Sequence, residues 1–73
     1  MIRGRVLSRN DQVRFVVVEL LFSPLPEPGR RLEVYRGEKK VGELRASRWN
    51  RGALVVADII HGDAQPGDDV RAD

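Results

Sequence analysis

The chain is interrupted by glycine, proline or an asparagine–aspartate step so often that its longest unbroken interval is Gln12–Ser23. The segments between these breaks are rich in valine and isoleucine. Side chains branched at Cβ lose freedom in a helix and fit the pleated surface of a sheet. Short valine-laden segments bounded by turn formers therefore read as strands. Five main strands and a short sixth are expected: Ile2–Arg9, Gln12–Phe22, Arg31–Arg36, Val41–Trp49, Ala53–Ile60 and Asp69–Arg71. Asn10-Asp11, Gly37-Glu38-Lys39-Lys40 and Asn50-Arg51-Gly52 supply hairpin turns.

Seventy-three residues make one domain, 1–73, either complete in itself or a module of a larger protein. A chain of this size buries only about 60% of the surface its unfolded form exposes. It has no cysteine, so neither a disulfide nor a thiolate metal site can reinforce it. Apolar packing must hold it together, and closing the sheet gives each strand two neighbours. The predicted fold is thus all-β, a small five- to six-stranded antiparallel barrel, at least partly closed.

Two details refine that picture. Pro28-Gly29-Arg30-Arg31-Leu32 and Pro66-Gly67-Asp68-Asp69-Val70 share a Pro-Gly-x-x-apolar pattern 38 residues apart, the spacing of a duplicated half-barrel. The Val13–Phe22 run is apolar on both faces, and such a strand needs cover on both sides. Its outer face, read as Val16, Val18, Leu20 and Phe22, is expected to meet a partner together with Leu25 of the proline-rich segment Ser23–Gly29.

Charge and chemistry narrow the function. Thirteen basic residues stand against eleven acidic ones, a net charge of +2. The basic residues concentrate in 30–51, and acidic ones dominate from Asp58 onward. Met1–Arg5 has basic residues but no apolar signal-peptide core behind it. No run is long enough to span a bilayer as a helix. The chain is expected to be soluble and not membrane-inserted, cytoplasmic as it stands or envelope-associated as part of a larger protein.

One histidine, His61, near Asp58 and Asp63, reads as a polar loop residue rather than a base. The serines lack a nucleophile-elbow setting, and Asp63, Asp68 and Asp69 lack calcium-loop spacing. No catalytic residue, metal ligand or cofactor is assigned. The alternative to protein docking is a single-stranded nucleic-acid face combining arginines with aromatics: Tyr35, Arg36, Arg45, Arg48 and Trp49.

The order of motifs also carries a resemblance. Gly4-Arg5-Val6 is followed by a long apolar strand, then Gly29-Arg30-Arg31-Leu32-Glu33-Val34-Tyr35-Arg36-Gly37, Val41-Gly42-Glu43-Leu44, Ala57-Asp58-Ile59-Ile60 and Gly67-Asp68-Asp69-Val70. This resembles small bacterial β-barrel modules of the kind at the C-terminus of flagellar assembly protein T, and related modules of envelope-associated proteins of unknown function. The resemblance implies a barrel with a binding or assembly role, through self-association or docking on other domains of a parent protein. It transfers no catalytic residue. Where those modules have a glycine-rich turn after the second strand, this chain has Phe22-Ser23-Pro24-Leu25-Pro26.

Overall fold

Six strands form, and each pairs antiparallel with two others. The computed structural model describes Met1–Asp73 and contains β1 (Ile2–Asn10), β2 (Phe15–Leu20), β3 (Arg31–Arg36), β4 (Lys39–Arg51), β5 (Leu54–Gly62) and β6 (Asp69–Ala72). They close in the order β1-β2-β5-β4-β3-β6, with β6 returning to β1 through pairs that include Ile2↔Ala72. The barrel is fully closed, with the short sixth strand completing it. No helix is long and apolar enough to cross a membrane.

Strand bounds shift from expectation at the turns. Asn10 and Phe15 pair, so the first connection spans Asp11–Arg14 rather than two residues. The Asn10 side chain accepts the Gln12 and Val13 amides there. The β3–β4 turn tightens to Gly37-Glu38, and the β4–β5 turn moves to Gly52-Ala53. Each begins with a left-handed glycine (φ +66° and +58°), the conformation that primed hairpin turns ask of their first central residue.

Alternation points one set of side chains inward. Val6, Val16, Val18, Leu32, Val34, Leu44, Val55 and Val70 are fully enclosed, with Ile2, Leu20, Ala46, Ala57, Ile59 and Ala72 around them. The β2–β3 and β5–β6 connections join strands that are not neighbours, so each crosses an end of the barrel. They bury Pro26 and Ala64 respectively.

The two halves of the chain are related by an internal two-fold. β1-β2-β3 maps onto β4-β5-β6, and the map preserves every neighbour in the ring. Gly29 N–H donates to Ala46 O (2.7 Å), whose own amide donates to Arg30 O (2.9 Å). Gly67 N–H likewise donates to Val6 O (2.8 Å), and Val6 N–H to Asp68 O (2.9 Å). Bulges follow Val6 in β1 and Ala46 in β4. Leu20 N–H reaches Ala53 O, as Ile59 N–H reaches Arg14 O. The recurring Pro-Gly pattern marks matching points of two half-barrels, and the axis runs through the pairs Val17↔Val56 and Glu33↔Arg71.

Candidate docking surface

Much of the barrel's outside is charged, and around β3 and the start of β4 the charges pair with one another. Lys40 bridges Glu43 (2.8 Å) and Glu33 (3.0 Å), and Arg31 approaches Glu43 (3.6 Å). The β2–β5 sector differs. Here the outward pairs are Phe15↔Asp58, Val17↔Val56 and Glu19↔Leu54, with Arg51 opposite Leu54 on β4.

The β4 bulge adds an aromatic to this sector. Three residues, Ser47, Arg48 and Trp49, stand against Val56 alone. Ser47 Oγ donates to Val56 O (2.6 Å) and accepts the Trp49 amide (3.1 Å), which throws the Trp49 side chain outward. Trp49 is 66% exposed, with the Arg48 guanidinium 5.6 Å from its ring centroid. Trp49, Val17, Leu54, Val56 and Arg51 frame an open recess of about 270 Å³.

A larger groove of about 560 Å³ adjoins it, between the proline-rich segment and the Gly52-Ala53 turn. Leu20, Leu21, Phe22, Leu25 and Ala53 line it, with Glu19 and Ser23 at the rim. Ser23 Oγ donates to Arg3 O (3.1 Å) and anchors the segment. Phe22 sits at φ +49° and is fully exposed (109%), while Leu25 is 47% exposed. A bulky residue in left-handed conformation is uncommon and strained.

Of the residues expected to form the docking face, Phe22 and Leu25 lie on it and three do not. Val16, Val18 and Leu20 point into the barrel and are buried, so the outward residues of β2 are Phe15, Val17 and Glu19. The run is apolar in both phases, and the closure of the ring selects the even-numbered set for the interior. Trp49, Leu54 and Val56 complete the face. The bulge that exposes Trp49 has no local signature beyond Ser47, whose hydroxyl holds it.

The five residues of the nucleic-acid alternative do not converge. The Tyr35 ring is covered by the Arg71 guanidinium at 4.6 Å from its centroid. Arg36 is held by Asp68 through two bonds of 2.9 Å. Tyr35 pairs with Lys40, whereas Arg45 pairs with Arg31, five residues further along β4. That separates them by roughly 15 Å at the usual rise per residue. Arg48 and Trp49 lie further still in the same direction.

Two arginine clamps hold the connection at the other end. Asp68, 5% exposed, accepts Arg36 Nε and Nη2 and the Gln65 amide (2.8 Å). Burial pushes the Asp68 carboxyl up, but Arg36 and the Gln65 amide together outweigh it and hold it below the usual range. Asp63 is lowered by the Gln65 side chain and by Arg9, whose Nη1 lies 2.8 Å away. Arg9 also donates to Ala64 O (3.0 Å). Asp69 instead faces outward beside Arg71 at 3.5 Å. His61 lies at the exposed end of β5, 3.5 Å from Glu43 and outside both recesses.

No family model, no curated protein and no solved structure matches this chain.

Proposed function

We propose that this chain is a non-catalytic docking module that assembles with protein through the β2–β5 face and the adjoining proline-rich shelf. The observation that carries the reading is the contrast between the two halves. The β5 bulge at Ile60 aligns Gly62 with Phe22, and both take positive φ (+91° and +49°). Counting back from the Pro-Gly turns aligns Asp63 with Leu25 and Ala64 with Pro26. One half thus builds its end cover from glycine and a clamped aspartate. The other places a strained, fully exposed phenylalanine and an exposed leucine at the same points.

The fold does not require those apolar side chains, since the matching half does without them. At 150–250 Å² per aromatic side chain, Phe22 and Trp49 alone offer on the order of 300 Å². Leu21, Leu25, Val17, Leu54 and Val56 make the patch continuous. Contiguous apolar surface of this extent on a soluble protein marks an interaction site. The resemblance to small bacterial barrel modules with assembly roles belongs to the same proposal, as does residence in a larger envelope-associated protein.

An apolar fluorescent probe, anilinonaphthalene sulfonate, tests the surface at low protein concentration. Probe emission rises with wild type and falls back with Leu25→Glu, while the thermal midpoint stays unchanged. No enhancement, or equal enhancement in both proteins, overturns the reading.

A further inference from the structure

We infer that the partner on this face is a second copy of the same chain, each copy laying its Phe22 ring in the other's groove. This names the occupant of the docking face and rests on that reading.

Three features point to a copy rather than an unrelated protein. The face carries a projection and a recess of the same chemistry side by side. Phe22 projects without cover, and beside it Leu21, Leu25 and Ala53 line an open groove of about 560 Å³. A two-fold pair requires one surface to supply both parts.

Charge is arranged in the same self-complementary way. Glu19, Leu54 and Arg51 form one cross-strand row over three strands, acidic at one end and basic at the other. A two-fold axis along β5 sets each Glu19 against the partner's Arg51. The same rotation carries Phe22, on the β2 side, over the Gly52-Ala53 side of the facing groove, and Trp49 over the partner's Val17.

The area is that of a reversible dimer. Phe22, Trp49 and the five aliphatic residues amount to roughly 500–600 Å² per copy, about two thirds to three quarters of the ~800 Å² that each partner contributes to a standard interface. An interface of this size lies at the small, transient end of the range, so association is sought from micromolar to millimolar concentration.

Sedimentation velocity on the full chain, from about 5 µM to about 1 mM, tests the inference. Wild type passes from monomer to dimer and forms no larger species, because a two-fold pair is closed. Phe22→Gly puts at this position the residue the matching half uses, so it folds, and it weakens association at least about tenfold. Glu19→Arg and Arg51→Glu each weaken the dimer, and the double variant recovers it, because each reversed charge again meets its opposite. A monomer at the highest concentration, or a double variant no better than the singles, overturns the inference. In that case probe binding that remains sensitive to Leu25→Glu leaves the docking reading standing. Loss of probe binding removes both.

Discussion

Replacing Asp68 by alanine removes a carboxylate that is 5% exposed and accepts three hydrogen bonds, two from Arg36 and one from the Gln65 amide. Breaking a fully buried ion pair costs about 3–5 kcal/mol. Arg36 is 49% exposed, so water can take over its donors, and the cost drops toward the roughly 2–3 kcal/mol of lost charged hydrogen bonds. Set against the roughly 4–11 kcal/mol expected for 73 residues, this is a large fraction. It lowers the midpoint by about 10–20 °C. Urea and thermal melts followed by far-ultraviolet circular dichroism measure it, because Trp49 is too exposed to report unfolding. The same substitution in an Arg36→Ala background costs less than half as much. A cost below about 1 kcal/mol, or one unchanged without Arg36, refutes the assignment of the clamp as the lock on the β5–β6 connection.

Acid tests the same lock through its sign. Asp68, Asp63 and Glu43 are all held below the ordinary carboxylate range, so on acidification the unfolded chain takes up protons first. Their stabilisation is complete above the unfolded carboxylate value near 4 and drains away as pH falls through the lowered folded values. Melts between about pH 7 and pH 2 show this slope, and it is shallower in Asp68→Ala; stability that is flat or rising on acidification contradicts it. Leu44→Ala, at a fully enclosed position, costs about 2–5 kcal/mol, and a denaturant midpoint near wild type would refute its place in the interior. Single-stranded RNA or DNA binds no tighter than the non-specific range of about 10⁻⁴–10⁻⁶ M, because Tyr35 is covered and Arg36 is engaged; nanomolar anisotropy titrations lost on Arg48→Ala would reverse the choice of surface.

The strands were legible because valine-rich alternation and turn chemistry agree along the chain. Leu32 and Val34 against Glu33 and Tyr35, and Leu44 and Ala46 against Glu43 and Arg45, each name an inner face without help. β2 was not legible in this way. With valine at 16, 17 and 18, alternation defines two phases and favours neither, and only closure against β1 and β5 chooses between them. The length of β4 was hidden by its bulge, which carries the strand past Trp49 to Arg51. The clamps were hidden by distance along the chain, with Asp63 54 positions after Arg9 and Asp68 32 positions after Arg36. Phe22 and Leu25 were legible as apolar residues where the turn should have been plain. That they are dispensable to the fold emerges only from the matching half.

The internal two-fold also bears on chain connectivity. Ile2 faces Ala72 in one ladder, so a short linker can join the ends, and the ring can be opened instead at Gly37-Glu38. The permuted chain then reads β4-β5-β6-β1-β2-β3. Because the symmetry exchanges the halves, that order winds through the same sequence of neighbours as the native one. The path of the backbone is indifferent to which half is made first.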